Sequence, residues 1–361
     1  MDRPTVAIYE AQSERYEAQR SPRHLQQARR FGARVVGRPA VDLGSGPGWY
    51  TAALRQPAVA LDAALAMLRR TREVVPGCLP VQADLSALPF RRGSMGGGWA
   101  RNTYVHLPAV ELPLALADLH GALALGAPVE LTFLGGEAEG WAVFPDDDLP
   151  GRWFSTWPAS RLVDVVAGAG FDLDELASHT GPDGTTLTVR ATRARTLPDT
   201  VGPGLRLLVC GLNPSVRAAD AGVGFVTPGN RFWPAALAAG LVSRDRDARH
   251  ALVEHGVGMT DLVKRATARA DELTAEEYRA GVERVDRLSR WLQPAAVCFV
   301  GLAGWRAAVD RKAVPGVQAH RLGDCPVYVL PSTSGANASS QLPDLTAHLR
   351  AVQHLWTSAP A

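Results

Sequence analysis

The sequence predicts an α/β protein of two domains, each with helices on both faces of a mostly parallel sheet. Its 361 residues are more than one hydrophobic core usually organises. An apolar strand pattern that ends in glycine occurs twice, at residues 39–44 and 205–211. After each, short apolar runs alternate with helix-like periodicity, which is typical of parallel α/β folds.

The elements follow this alternation in chain order. In the first half, apolar runs predict strands at 39–43, 58–62, 128–134 and 185–191, and helical spacing predicts helices near 21–36, 49–55, 64–73, 111–124 and 159–168. In the second half, strands are expected near 205–211, 295–300 and 326–330, with helices near 231–240, 245–254, 274–292, 302–310 and 340–354.

A polar, aperiodic segment with two prolines and two glycines separates the halves. Such composition is typical of loops and linkers. We therefore expect a first domain at 1–195, a flexible linker at 196–204 and a second domain at 205–361.

Composition indicates a soluble, cytoplasmic protein. Hydrophobic residues make up 46% and charged residues 20% of the chain, and no apolar stretch approaches the roughly 18–20 residues of a membrane span. The N-terminus has no basic region followed by an apolar one, so no secretion signal is expected. The four cysteines lack metal-ligand spacing. We expect a monomer that binds neither a metal nor a membrane.

The net charge of +2 does not by itself indicate a class of partner. The basic excess lies in the second half, and all basic residues except Lys264 and Lys312 are arginines. This distribution fits a nucleic-acid partner for the second domain, but it is too small to identify one alone.

The first domain opens with an Asp-Leu-Gly-Ser-Gly-Pro-Gly loop at residues 42–48, between a strand and a predicted helix. Glycines there let the backbone approach a ligand, and a helix N-terminus offers free N–H groups. Asp62 ends the next strand, where a carboxylate accepts from ribose hydroxyls. Asp84 precedes the Leu-Pro-Phe at 88–90, where a side-chain carboxylate would meet an adenine amino group.

These residues, with the Ala-Gly-Phe at 169–171, resemble a class I S-adenosylmethionine-dependent methyltransferase over roughly residues 5–192. The resemblance implies a Rossmann-like fold that binds S-adenosylmethionine, with Tyr9 and Tyr16 on a lid helix. Its implied cofactor-binding residues are Asp42, Gly44, Gly46 and Gly48 for the methionine end, Asp62 for the ribose and Asp84 for the adenine.

One departure concerns residues 92–102, where the family usually has an acidic-aromatic strand and this chain has three consecutive glycines at 96–98. Glycine weakens a strand, so we expect impaired cofactor binding there. A methyltransferase fold that survives only as a scaffold is the alternative, and the methyl acceptor cannot be read from the sequence.

The second domain carries a different constellation. Its first strand ends in Gly211 and leads into an Asn-Pro turn at Asn213. Phe225 and Asn230 follow, the latter before a predicted helix, and a Pro-Ser-Thr-Ser-Gly loop at 331–335 follows a distant apolar strand. Hydrolysis of an N-glycosidic bond needs a placed water, an aromatic wall for an extruded base and donors for the departing anion.

In order and spacing these segments resemble the mismatch-specific uracil/thymine DNA glycosylase family over roughly residues 204–355. The resemblance implies that Asn213 positions the hydrolytic water, in a slow enzyme because asparagine does not titrate. Phe225 would stack on the flipped base, and Asn230 would cap a helix that aims donors at the pocket. The other implied residues are Gly211 and Ser332 in the base pocket and Thr333, Ser334, Gly335, Ala336 and Asn337 in the DNA loop.

The implied partner is double-stranded DNA with G:U or G:T mismatches, and no cofactor is expected for this domain. Ala336 stands where the family has a larger wedge residue, which favours sites that are already distorted. Two alternatives stay open. The chain could be a small-molecule methyltransferase with a vestigial second domain, or the second domain could bind damaged DNA without catalysis.

Overall fold

The computed structural model describes residues 2–144, 147–182 and 184–357. The chain forms two compact units, Met1–Ala167 with Phe171–Ala194 and Gly168–Gly170 with Arg195–Ala361. Within the described ranges, no helix is long and apolar enough to cross a membrane.

The first unit is built around a largely parallel sheet. Its strands are β1 (Ala40–Leu43), β2 (Val59–Asp62), β3 (Leu79–Gln82), β4 (Gly97–Arg101), β5 (Pro128–Gly135), β6 (Glu139–Gly140), β7 (Phe154–Trp157), β8 (Phe171–Gly181) and β9 (Gly184–Arg193). Its helices are α1 (Arg3–Ala11), α2 (Ser13–Gln19), α3 (Leu25–Arg34), α4 (Leu65–Val74), α5 (Leu112–Ala122) and α6 (Ala159–Gly168).

The sheet order is β3-β2-β1-β4-β5, and antiparallel β9 and β8 extend it beyond β5. A short branch through parallel β7 to β6 also leaves β5. The strand order reverses between β1 and β4, so the carboxyl ends of β1 and β2 border the crevice where open α/β sheets bind ligands. The predicted α/β class is confirmed.

The glycines at 96–98 have a packing role that the sequence analysis missed. They lie at and within β4, a buried central strand between β1 and β5. A Cβ at Gly97 would lie 2.7 Å from Val35 Cγ2 and 3.1 Å from Phe31 Cζ. The missing side chains let α3 pack closely on the sheet, and the expected impairment of cofactor binding stays a prediction.

The helix predicted near 49–55 is reduced to a single 3₁₀ turn, Thr51–Ala53. Only ten residues separate the glycine loop from β2, and Pro57 lies among them. A proline disfavours helical geometry at the residue before it, so little room is left for a helix. No α-helix N-terminus therefore follows the glycine loop directly.

The second unit has a five-stranded sheet in the order β11-β10-β12-β14-β13. Its strands are β10 (Leu207–Gly211), β11 (Val257–Asp261), β12 (Ala296–Val300), β13 (Gly316–Val317) and β14 (Val327–Leu330), parallel except for β13. Its helices are α7 (Val216–Ala221), α8 (Phe232–Ala239), α9 (Ala248–His255), α10 (Ala275–Leu292), α11 (Leu302–Ala308) and α12 (Leu342–Thr357).

Alternate side chains of β10 enter two separate cores. Leu207 and Val209 pack in a cluster that includes Trp233 on α8, whereas Leu208 and Cys210 face a cluster that includes Trp305 on α11. Successive strand residues point to opposite faces, so an uninterrupted apolar strand requires helices on both sides. This burial fixes the strand whose end carries the candidate site.

The segment predicted as a linker, 196–204, belongs to the second unit. Thr200 and Met259 exchange backbone hydrogen bonds of 2.8 and 2.9 Å. Asp199 is 3% exposed and Val201 is fully buried. The segment differs from a flexible linker because its backbone and side chains are paired and packed.

We predict that Gly97→Ala destabilises the first unit by about 1–3 kcal/mol, since the added methyl group overpacks the contact with α3. Hydrogen exchange of β4 peptides across a urea series measures this unit alone. Gly121→Ala in α5 is the matched control, because nothing lies within 4 Å of its added Cβ. An equal effect of both substitutions would contradict the packing role of Gly97.

Candidate functional site

Asn213 lies in the turn that follows the carboxyl end of β10 and is half-buried. Its Nδ2 donates to Thr267 Oγ1 at 2.8 Å, to the Arg265 carbonyl at 3.0 Å and to the Pro214 carbonyl at 3.2 Å. Carbonyl oxygens only accept, so these contacts fix which end of the amide is nitrogen. No donor among the described residues contacts Oδ1, which is therefore an oriented acceptor.

Phe225 has the left-handed φ of 58°. This conformation costs a non-glycine residue on the order of 1–2 kcal/mol. One face of its ring stacks on Phe232, with centroids 4.2 Å apart and planes at 25°. The ring is half-buried, and its Cζ lies 3.5 Å from the position that a Cβ would take at Gly211. The stack on Phe232 thus helps to hold an aromatic wall, in a strained backbone conformation, beside the end of β10.

Asp261 ends β11 and is the register partner of Gly211. A Cβ at Gly211 would overlap Asp261 Oδ1, so the glycine leaves space for the carboxylate. Among the described residues, none donates a hydrogen bond to that carboxylate. Burial raises the pKa of Asp261 to about 6; Lys264 and Arg284 oppose this rise and Asp199 adds to it.

Asp261 was not among the predicted site residues, because β11 was not predicted as a strand. An available signal was the apolar run Val257–Thr260 ending in an acidic residue. The carboxyl ends of adjacent parallel strands meet at one sheet edge, so this pattern would have placed a carboxylate near Asn213.

A buried ion cluster lies behind this edge. Asp199 Oδ1 accepts from Thr260 Oγ1 at 2.6 Å and from Lys264 Nζ at 2.8 Å, and its Oδ2 accepts from Arg284 Nη1 at 2.7 Å. Burial would raise the pKa of Asp199, but the charges of Arg284 and Lys264 hold it below its usual range. Arg284 also donates to the Asp261 carbonyl at 2.8 Å. The cluster therefore fixes the end of β11.

Asn230 does not open a helix as expected. Helix α8 begins at Phe232, and Asn230 Oδ1 accepts from the Phe232 backbone N–H at 3.0 Å. The neighbouring Arg231 donates from its guanidinium to three loop carbonyls, those of Ser340 at 2.7 Å, Ser334 at 2.8 Å and Asn337 at 2.6 Å. Arg231 thus holds the predicted DNA loop.

That loop is internally bonded. Ser332 Oγ accepts from the Ser334 N–H at 3.3 Å, and Asn337 Nδ2 donates to the Ser332 carbonyl at 2.8 Å. Gly335 and Ala336 are exposed at its tip. Thr333 was expected in the DNA loop, but it is only 2% exposed. Its position supports the loop from inside.

In the first unit, β2 and Asp62 fix the glycine loop. The N–H groups of Gly44 and Ser45 donate to the Leu61 carbonyl at 2.7 and 2.9 Å. Asp62 accepts from the backbone N–H groups of Gly46 and Ala64, both at 2.9 Å. Burial raises the pKa of Asp62 to about 6, and these backbone donors limit the rise.

Asp42 and Asp84 differ in accessibility. Asp42 is 2% exposed and accepts from Thr51 Oγ1 at 2.6 Å, and burial raises its pKa to about 7. It braces the loop from inside and is too buried for the ligand contact expected of it. Asp84 is half-buried, and its Oδ1 accepts from the Ser86 N–H at 2.8 Å and the Ser86 hydroxyl at 2.9 Å.

Two aromatic residues lie over the glycine loop. Tyr16 Cε1 is 3.9 Å from the position that a Cβ would take at Gly46, and its ring stacks on Trp49 with centroids 6.2 Å apart. Gly48 also has a positive φ, of 89°. Backbone open to a ligand at Gly46, the Asp62 carboxylate beside it and an aromatic cover are a set of residues that fits a nucleoside cofactor.

Two family models match the chain. Residues 198–356 match the uracil DNA glycosylase superfamily, and residues 41–127 match a methyltransferase domain. The chain joins a methyltransferase domain to a uracil DNA glycosylase superfamily domain.

Solved structures similar to the chain include three methyltransferases. An S-adenosylmethionine-dependent methyltransferase of Methanosarcina mazei is 14% identical over 43% of this chain and 92% of its own, with a TM-score of 0.38. A second S-adenosylmethionine-dependent methyltransferase, from Mesorhizobium loti, is 19% identical over 47% of this chain and 97% of its own, with a TM-score of 0.39. The 1,6-didemethyltoxoflavin-N1-methyltransferase of Burkholderia thailandensis is 15% identical over 54% and 92%, at 0.41.

We predict that Asp261→Asn stabilises the second unit increasingly as pH rises. The folded-state pKa of Asp261, about 6, lies above its ordinary 3.8, so folding takes up a proton between these values and loses stability as pH rises through them. Asparagine removes this cost. The free energy of unfolding of the variant, relative to that of the unmodified protein, should therefore rise by about 1 kcal/mol from pH 5 to pH 8.

Calorimetry at both pH values measures the difference. The exposed Asp245→Asn is the control, and its effect should not change with pH. A pH-independent effect of Asp261→Asn would show that the carboxylate is not destabilised by burial.

Proposed function

We propose that the second unit is a monofunctional DNA glycosylase that hydrolyses the N-glycosidic bond of uracil, and also of thymine, mispaired with guanine. The observation that carries the proposal is the fixed amide of Asn213, whose Nδ2 is held by three acceptors while Oδ1 is left for a water. The match to the uracil DNA glycosylase superfamily supports the same chemistry.

The proposed reaction proceeds through a cation-like sugar. The bond between C1′ and the base nitrogen breaks with its electron pair going to the base, and water held at Asn213 Oδ1 attacks C1′. The extruded base stacks on the open face of Phe225, whose other face is already covered by Phe232. Asparagine orients the water and does not titrate, so bond breaking must run ahead of attack.

The loop at 331–341 is suited to fill the vacated stack. The three hydrogen bonds from Arg231 hold its carbonyls in one geometry before DNA arrives, which lowers the ordering cost of binding. Ala336 at the exposed tip offers only a methyl group. We infer a preference for mismatched sites, where unstacking costs less.

A lyase step is not part of the proposal. It would need an amine nucleophile, and Lys264 is held at 2.8 Å by the buried Asp199. The Lys264 Nζ is engaged in this ion pair and is not available to attack C1′.

We predict single-turnover release of uracil from G:U duplexes, with slower release from G:T and A:U duplexes. Asn213→Ala should lower the rate by about 10²–10³-fold, because the water loses its oriented acceptor. Binding to a G:U duplex should change little. Quantifying abasic product by alkaline cleavage measures the rate.

The exposed Arg217→Ala is the comparison variant for binding, since it removes one cation on α7 without touching the amide. It should reduce the salt dependence of binding and leave the rate at saturating enzyme unchanged. Absence of abasic product from every duplex and from single-stranded uracil DNA would exclude the glycosylase. Tight G:U binding in that case would favour a damage-binding module.

We further propose that the first unit binds S-adenosylmethionine, with Asp62 accepting from the ribose hydroxyls and the backbone at Gly46 facing the methionine end. The match to a methyltransferase domain and the glycine loop beside Asp62 support this assignment. Bound there, the cofactor would supply an electrophilic methyl group. The alternative function, a small-molecule methyltransferase with an inactive second unit, rests on this same site.

We predict that Asp62→Ala weakens S-adenosylmethionine binding at least tenfold, because both the ribose acceptor and the anchor of the glycine loop are lost. Isothermal titration of the full chain measures the affinity. Asp172→Ala on the edge strand β8 is the control and should bind normally. Undetectable binding by the unmodified protein would identify the first unit as a scaffold.

A further inference from the structure

We propose that Asp261 is a second catalytic group of the glycosylase unit, the base that accepts a proton from the attacking water. The inference rests on the proposed glycosylase function and adds a residue to that site. It adds a titratable side chain to a site whose other catalytic residue, Asn213, does not titrate.

Asp261 lies next to the strand end that leads to Asn213. Asp261 and Gly211 are register partners at the carboxyl ends of adjacent parallel strands, and the two chains continue side by side. The Leu262 N–H donates to the Gly211 carbonyl at 2.9 Å, and the Val263 N–H donates to the Leu212 carbonyl at 2.9 Å. The Asp261 carboxylate therefore lies at the sheet edge that leads directly into the Asn213 turn.

The absence of a side chain at Gly211 leaves space for the Asp261 carboxylate. A methyl group at residue 211 would overlap Asp261 Oδ1 and would lie 3.5 Å from Phe225 Cζ. The carboxylate and the aromatic wall therefore face the same small volume over Gly211. The proposal places the glycosidic bond of a base stacked on Phe225 beside this volume.

Within the described ranges the Asp261 carboxylate has no hydrogen-bond or ion-pair partner, although two cations are near. Lys264 and Arg284 both form ion pairs with Asp199, at 2.8 and 2.7 Å, and their charges only partly offset the effect of burial on the pKa of Asp261. The remaining titratable group facing it is the Cys210 thiol, whose pKa burial raises well above its usual value, so it stays neutral. Asp261 is left as an unpaired carboxylate in a low-dielectric edge.

Such a group costs stability and performs no packing role that asparagine would not fill. Proton transfer to a positioned carboxylate explains the arrangement. The C1′–base bond breaks with its pair on the base, the water oxygen bonds to C1′, and the released proton passes to Asp261. The protonated carboxyl then returns this proton to the base anion or to solvent, so charge and atoms balance.

Single-turnover uracil release from a G:U duplex tests the proposal, with the full chain in excess, between pH 5 and pH 9. For the unmodified protein we expect the rate to rise with pH through an apparent pKa near 6 and then to level. Asp261→Asn should release uracil about 10²-fold more slowly. Its residual rate should be independent of pH, and its affinity for G:U DNA should be retained.

Gly211→Ala is the second variant, because it keeps the carboxylate but displaces it. Its rate of uracil release should fall by a factor similar to that of Asp261→Asn. The surface variant Asp245→Asn should release uracil at the rate of the unmodified protein. Thermal unfolding of each variant shows that the unit is folded, so a loss of rate reports chemistry.

Three results would overturn the inference. Asp261→Asn with the unmodified rate and pH profile would show that the carboxylate accepts no proton in the reaction. Loss of affinity for uracil DNA with an unchanged rate at saturation would make Asp261 a base-recognition group. If the unmodified protein releases no base from any substrate, the proposed function itself fails, which the first two results would not imply.

Discussion

The second unit depends on one buried carboxylate, Asp199. It forms ion pairs with both Lys264 and Arg284, and Arg284 in turn donates to the Asp261 carbonyl at the end of β11. Removing one member of such a buried group leaves an unpaired charge, at a cost of about 3–5 kcal/mol. Since Asn213 is held by the chain that follows β11, through Arg265 and Thr267, the amide proposed to bind the water also depends on this cluster.

Missing side chains are the second constraint. At Gly97 the absent Cβ lets a helix approach the central strand, and at Gly211 it makes space for a carboxylate and an aromatic ring. The first is a packing requirement and the second shapes a site, although both appear in the sequence as glycine in or at the end of a strand. Only the identity of the facing atoms, apolar at Val35 and charged at Asp261, separates the two.

The sequence was sufficient to predict the α/β class, the alternation of elements and the turn that carries Asn213, because each depends on local periodicity. It was insufficient for Asp261 and for the buried role of residue 199. Both depend on which strands are neighbours in space, and the predicted linker segment has the composition of a loop although Thr200 pairs with Met259. The accessibility of Thr333 is likewise a property of packing that the residue type does not encode.

Asp62 and Asp261 show how equal acidity can serve different chemistry. Burial raises the pKa of each to about 6. Asp62 accepts two backbone N–H groups, so protonation would weaken bonds that hold the glycine loop, and the carboxylate is a fixed acceptor. Asp261 accepts none from the described residues, so it gains and loses a proton without disturbing the fold. A carboxylate that orients a ligand needs the first environment, and one that exchanges protons needs the second.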